Sequence, residues 1–429
     1  MRRASLPFLI ICSLLSQSDA MDVAREEMRV ENVGTELGVT GRGVLIAVMD
    51  RGIDWRNDDF RNADGSTRIE SIFDLTDDRG AKSPANTWKM GTIYTRKEID
   101  AALKSGKNLA TRDALGHGTT TAGIACGSGR RSPGRKYRGI APDATILVVK
   151  ICSDGVPAHN DEPAEAYFWQ PDRVLVAIDF IAERARELHL PCVMVLNIGS
   201  QGGPTDGTSP LCRKIDATVG AGKPGLVFVT GPGDEGRTLR KDQRTTVVDG
   251  KQVPVGTIWD GASARNNICP GDYVIRTEWT DIHGVARSHA TEGSVGEIWE
   301  GSSMGPTADG RIGIDFCAPG DSVFTTYNPR SWWATFENNL VKDGGGLYGR
   351  ASAVSAANPM TAGVIALMLE LDPRLDAAAV KGILQRSARS DGFTGKTPNT
   401  TWGHGKLDAG AALRMVKAGS KALAGKPPR

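Results

Sequence analysis

Leu115-Gly116-His117-Gly118-Thr119-Thr120-Thr121-Ala122-Gly123 is the stretch around which the chain reads as organised. A histidine stands between two glycines, and small residues follow it at helical spacing. This pattern places an imidazole in the first turn of a helix packed closely on its neighbours. Alone it is a weak signal, because most single histidines are solvated or structural. Its weight comes from what lies on either side. Upstream, Val44-Leu45-Ile46-Ala47-Val48-Met49 is a continuous apolar run between Gly43 and Gly52, which reads as a strand buried on both faces of a parallel sheet. Asp50 ends that strand, where ligands and catalytic groups collect in open α/β sheets. Asp54, past the turn glycine, is the rival carboxylate. Downstream, Ser355-Ala356-Ala357-Asn358-Pro359-Met360-Thr361-Ala362-Gly363 begins a helix that continues from Val364 to Leu371. Serine is a favoured N-cap, and Pro359 is tolerated in a first turn, whose N–H groups have no intrahelical partner. A serine at that place also has a backbone N–H and the positive helix end available to a developing oxyanion.

The rest of the chain fits around these three residues. Residues 56–112 are polar and read as loops with one short helix near Thr95–Ser105. Ala144–Lys150, Cys192–Ile198 and Leu226–Thr230 read as further buried strands. Between them, Val174, Ala177, Ile178, Ile181, Ala185 and Leu188 form one apolar helical face after Pro171, and Leu211–Val219 resembles another helix. Strand and helix in alternation predict a doubly wound, mostly parallel α/β sheet with helices on both faces. Residues 237–290 lack helical periodicity and read as a β-rich insertion of short antiparallel strands. Asp376–Ser387 and Asp408–Val416 read as closing helices, and residues 418–429 as a basic, disordered tail. Asn32–Thr40 reads as a polar lead-in.

With 429 residues, the chain can bury a sizeable core. Its hydrophobic content of 40% and its 52 glycines suit a loop-rich globular α/β protein. A formal charge of +2 gives no electrostatic footprint for nucleic acid. Arg2 and Arg3, the apolar run Leu6–Leu15, and Ser18-Asp19-Ala20 compose a signal peptide over residues 1–20. The run is too short for a membrane anchor, so the expectation is an exported protein without one, and a monomer. Of 52 basic and 50 acidic residues, 50 and 49 remain after residue 20. Cys126, Cys152, Cys192, Cys212, Cys269 and Cys317 could pair in an exported protein. Several lie in apolar or small-residue segments, where cysteine acts as a small hydrophobe. No Cys/His cluster suggests zinc, and no G-x-G-x-x-G or P-loop turn suggests a nucleotide enzyme. Asp58, Asp59 and Asp64 are candidate ligands for a structural calcium ion, without EF-hand spacing. No cofactor is otherwise required.

Taken together, these segments resemble the subtilases, the subtilisin-like serine proteases, over nearly all of residues 21–417, and most closely the bacterial members. Gly43–Gly52 is similar to the family's Asp block, with Arg51 where Ser or Thr is usual, and Gly116–Gly123 to its His block. Gly139–Ala144, Asn197–Gly203, Ser302–Pro306, Ala318-Pro319-Gly320 and Trp402–Ala409 match further family segments. The resemblance implies a serine-type endopeptidase acting on proteins or peptides through an acyl-enzyme. Ser355 would be the nucleophile, His117 the general base and Asp50 the group that orients the imidazole. It also implies a substrate-binding strand at Gly199, Ser200 and Gly202, with Glu235 near the pocket rim.

Three departures stand out. The Ser block reads Ala353-Val354-Ser355, with Ala353 where the family has Gly, and Met360 replaces a non-triad histidine. Gly231-Pro232-Gly233-Asp234-Glu235-Gly236 stands where the family usually has Ala-Ala-Gly-Asn-x-Gly. Asp234 therefore occupies the oxyanion-hole position beside the Ser355 backbone N–H, and a carboxyl donates a hydrogen bond only when protonated. Only residues 21–43 separate the expected cleavage site from the Asp strand, too few for the family's usual propeptide. The alternative is thus a catalytically impaired subtilase scaffold that binds peptides or a protein partner.

Overall fold

A computed structural model describes residues 21–236, 245–248, 251–254, 256–289 and 293–424. The chain begins with two helices, α1 (Met21–Glu27) and α2 (Val30–Leu37), and then enters β1 (Leu45–Asp50). There follow β2 (Ile69–Asp74), β3 (Thr92–Thr95), α3 (Arg96–Ser105), α4 (His117–Cys126) and β4 (Thr145–Lys150). A small antiparallel pair, β5 (Cys152–Asp154) and β6 (Tyr167–Trp169), precedes α5 (Pro171–Leu188), β7 (Cys192–Leu196), α6 (Pro210–Thr218) and β8 (Leu226–Val229). The central sheet has six strands in the order β3-β2-β4-β1-β7-β8, and β3 alone is antiparallel to its neighbour. This is the α/β class the sequence predicts. β1 runs down the middle, between β4 and β7, with every residue buried. That burial is why its sequence is a solid apolar run rather than an alternating one. Asp50 sits at its C-terminal end, where the chain passes from one side of β1 to the other.

Several elements differ from the sequence reading. Residues 56–112 hold two strands as well as the helix. Glu70, Ser71 and Asp74 interrupt the apolar residues of β2 and hide it from a search for unbroken runs, yet Ser71 and Asp74 are buried. The polar lead-in is instead helical, because Ala24, Met28, Val30 and Val33 form a buried seam that starts before Asn32. α9 (Ala409–Ala424) runs on into the stretch read as a disordered tail, which is rich in helix-forming Ala and Lys. Within residues 237–290, β9 (Thr245–Val248) and β10 (Lys251–Pro254) form an antiparallel hairpin, as do β12 (Glu278–Thr280) and β13 (Ala286–Ser288). Between them, β11 (Pro270–Val274) pairs in parallel with β14 (Phe316–Asp321). A parallel partner so far along the chain leaves no local pattern. β15 (Val323–Thr326) and β16 (Tyr348–Ala351) make a last hairpin before α7 (Val354–Leu371) and α8 (Ala377–Ser387).

α7 and α4 pack on each other at the centre of the molecule. α7 is long and apolar enough by composition to cross a membrane, but 83% of it is buried inside the protein. All ten residues of α4 are buried as well. The six described cysteines are free and buried, filling apolar space. Close approach of α4 to the end of β1 depends on Gly118, where a Cβ would stand 2.0 Å from the Gly52 carbonyl oxygen. Gly118→Ala should therefore push α4 off the strand and destabilise the protein by about 1–3 kcal/mol or more. Denaturant midpoints of the two proteins measure this, and an alanine variant as stable as the parent would contradict the packing described.

Candidate active site

Three elements that are distant in sequence meet at the C-terminal end of β1. Asp50 ends the strand, His117 is the first residue of α4, and Ser355 lies in the first turn of α7. His117 Nδ1 lies 2.7 and 2.9 Å from the two Asp50 oxygens, and His117 Nε2 lies 3.0 Å from Ser355 Oγ. An ionised carboxylate can only accept, so Nδ1 carries the proton and Nε2 is left to accept from the Ser355 hydroxyl. Asp50 is fully buried and also accepts from the Arg51 backbone N–H (2.7 Å) and Thr121 Oγ1 (2.8 Å). Burial is the largest influence on this carboxyl and pushes it up. The charge and hydrogen bond of His117, aided by Arg51, outweigh it and hold the group below its ordinary range. The rival Asp54 is turned elsewhere, toward Arg330, at 2.6 Å.

Sequence reasoning missed the residues that hold this arrangement in place. Asp113 accepts from the N–H groups of Gly116 and Thr119 (2.8 Å each) and from Thr119 Oγ1 (2.7 Å), which fixes the turn that carries His117. The role of Pro359 is also different from the expected one. It is the sixth residue of α7, not a first-turn residue, and the N–H it lacks would have met the Ser355 carbonyl. Asn197 fills that gap: its Nδ2 donates to Ser355 O and to Thr121 Oγ1, both at 2.8 Å. Asn358 Nδ2 in turn donates to Asn197 Oδ1 at 3.0 Å. The Ser-x-x-x-Pro spacing of Ser355 and Pro359 is visible in the sequence, where it reads only as a proline tolerated in a first turn.

Gly199, Ser200 and Gly202 follow β7 and line a cavity of about 340 Å³ with Trp169, Leu175 and Leu211. Glu235 does not line it. Its backbone N–H donates to Ser303 Oγ (3.0 Å), and its carboxylate accepts from the same hydroxyl (3.1 Å). The three candidate calcium ligands do not fit that ion. Asp59 is consumed by Ser128, the Arg130 N–H, Thr326 and Tyr348, Asp58 pairs with Arg131, and Asp64 bonds Ser66. Among the described residues no group of three or more His, Cys, Asp or Glu could hold a metal ion.

The start of α7 is where the chain departs most from expectation. Ser355 is not the N-cap; that position belongs to Ala353, at φ 74° and ψ −177°. This conformation is close to glycine-only and costs a residue with a Cβ about 1–3 kcal/mol. Asp234 Oδ1 accepts the Val354 N–H at 3.1 Å, one peptide before Ser355. Desolvation by the surrounding protein is the largest influence on the Asp234 carboxyl. Glu235 adds to it and the Val354 bond opposes it, and the group is lifted to about 6. The residue keeps an exposed surface, which limits that lift. Ala353→Gly should relieve the backbone and, after the entropic cost of glycine, stabilise the protein by about 1 kcal/mol. A higher midpoint in chemical denaturation is expected, and a lower one would contradict the strain.

The match to the subtilase family model spans residues 41–405. The chain is 25% identical over 374 residues to "Serine protease AprX" of Bacillus subtilis (strain 168), covering 86% of this chain and 66% of that protein. It is 24% identical over 348 residues to "Subtilisin" of Bacillus sp. (strain TA39), covering 81% and 61%. It is also 24% identical over 353 residues to "Extracellular protease" of Xanthomonas campestris pv. campestris, covering 82% and 48%. The chain thus spans two-thirds or less of these relatives' lengths. In fold it is similar to the Clostridium perfringens CspB protease, with TM-score 0.68, 18% identity, and 92% and 97% of the two chains covered. Fervidolysin from Fervidobacterium pennivorans gives TM-score 0.54 at 17% identity, over 92% of this chain and 47% of that one. A family match across most of the sequence, on a chain whose fold these structures share, makes this protein a member of the subtilase family.

Proposed function

We propose that this subtilase is a serine endopeptidase that cleaves peptide bonds in proteins. The observation that carries this reading is the unbroken hydrogen-bonded line from Asp50 through His117 to Ser355 Oγ. Ser355 Oγ attacks the carbonyl carbon of the scissile bond as its proton passes to His117 Nε2. The C–N bond breaks, and that proton goes to the departing amine. Water then attacks the acyl carbon as its proton passes to Nε2; the C–Oγ bond breaks, Nε2 returns that proton to Ser355 Oγ, and the acid leaves. Asp50 holds the imidazole in one tautomer throughout and stabilises its cation. No metal or cofactor takes part in this scheme. Residues 1–20, read as a signal peptide, lie outside the described residues. An exported monomer is the working form we infer, and the extracellular name of the Xanthomonas relative supports export.

The oxyanion donors are the Ser355 N–H, in a helix turn whose N–H groups point outward, and Asp234 as the neutral acid. The neutral form is present below a pKa of about 6 and is lost as pH rises through it. By pH 8 it falls to about 1% of molecules. The same residue, with the strain at Ala353, favours the second reading, a weak or inactive scaffold that holds peptides.

Hydrolysis of unfolded casein by the purified protein separates the two. Activity that disappears in Ser355→Ala supports the peptidase, whereas no activity at any pH between 5 and 9 supports the scaffold. Asp234→Asn supplies a donor at every pH. Its turnover should exceed the parent's by about 100-fold at pH 8, the scale of losing one oxyanion donor, an effect known from subtilisin itself. The advantage should shrink toward pH 5.5. A variant no faster than the parent at pH 8 would rule out the donor role.

A further inference from the structure

Two backbone segments leave the sheet beside Ser355. One follows Asn197, which donates to the Ser355 carbonyl, and reaches Gly199 and Ser200. The other follows β8 and reaches Gly233 and Asp234, whose carboxylate accepts the Val354 N–H. A residue whose carbonyl is under attack by Ser355 Oγ carries its side chain on the carbon bonded to the reacting one. That side chain must therefore lie close to the mouth between these two segments.

The space between the segments is taken by the indole of Trp259. A Cβ built on Gly199 would stand 2.1 Å from its Cε3, and one on Gly233 would stand 2.3 Å from its Nε1. The six-membered ring therefore rests on one glycine and the pyrrole edge on the other. The main chain is stitched to both sides as well. The Trp259 N–H donates to Pro232 O (2.8 Å), and the Asp260 N–H donates to Ser200 O (3.3 Å). Gln201 Nε2 reaches Thr257 O at 2.6 Å. The indole is half-buried, its inner side packed on the cluster of Ile258, Ala262, Cys269 and Tyr273. Its Nε1 is buried and without a hydrogen-bond partner. Contact with the two glycine backbones, rather than a polar tether, thus sets the ring where it is.

We propose that Trp259 fills the site for the side chain on the acyl side of the cut bond and restricts the enzyme to small residues there, such as Gly, Ala or Ser. This rests on the peptidase reading above. A bulky acyl-side residue would have to expel the indole from contact with two backbones. An alanine or serine fits against its exposed edge. Selectivity then comes from an occupied pocket rather than from a complementary one.

The test compares the rates at which two diphenyl phosphonates, built on the Ala and the Phe skeleton with the same blocked peptide, label Ser355 in the full-chain protein. A ratio of two labelling rates cancels the quality of the oxyanion hole. The parent should favour the Ala probe by about 10-fold or more. Trp259→Ala should move the ratio toward Phe by about 100-fold, and Trp259→Phe should lie between. The Phe variant retains the aromatic packing, so it carries the test if the alanine variant does not fold. Equal rates for both probes in the parent, or a ratio unmoved in the folded variant, would overturn the proposal. A simple alkyl fluorophosphonate, which needs no pocket, separates the two layers. Its failure to label Ser355 sinks the peptidase reading itself, while labelling with an unmoved ratio sinks only the role of Trp259.

Discussion

A carboxylate with no exposure to water has to have its charge met by the protein, and in this molecule that demand falls on Asp50. Three groups meet it: the imidazole of His117, the hydroxyl of Thr121 and the N–H of Arg51. Two of these come from α4, so the charge of a strand end and the position of a helix are one problem. α4 can come near enough only because Gly118 has no side chain against Gly52. Thr121 is then tied through Asn197 to the Ser355 carbonyl, which Pro359 leaves without a helical partner. Ser355, His117 and the buried Asp50 are therefore held by one continuous set of hydrogen bonds. Removing any member leaves a buried polar group unpaired, at about 1–3 kcal/mol for a neutral one and more for a charge.

Much of this was legible in the sequence, and the limits have physical causes. β1, β4, β7 and β8 are solid apolar runs because both their faces are covered, so their positions could be read directly. β2 could not, since Glu70, Ser71 and Asp74 break its run, and β11 finds its parallel partner only at β14, far along the chain. Asp50, His117 and Ser355 were found because each sits at the end of an element, where sequence punctuation is strongest. Asp113, Thr121 and Asn197 act within hydrogen-bond networks that exist only after folding, and nothing in their spacing marks them. Trp259 escaped for the same reason: its place is defined by two glycines that only the fold brings to it.

Two of the departures from family expectation meet at the beginning of α7. Ala353 strains the backbone ahead of Ser355, and the Asp234 carboxyl meets the same turn through the Val354 N–H. Trp259 packs against Gly233, next to Asp234. In the function we propose, Ala353 bears on stability, Asp234 on the pH at which a donor is available, and Trp259 on the side chains that can approach. The Asp50–His117 half of the site carries its own departure, Arg51, whose backbone N–H and charge both help hold the Asp50 carboxyl ionised.

The most direct measurement is fluorophosphonate labelling of the purified protein, mapped by mass spectrometry, with Ser355→Ala alongside. An assembled Asp50–His117–Ser355 line predicts a single adduct on Ser355 that is absent from the alanine variant. A folded protein that takes up no label between pH 5 and 9, or takes it up elsewhere than on Ser355, would contradict the account.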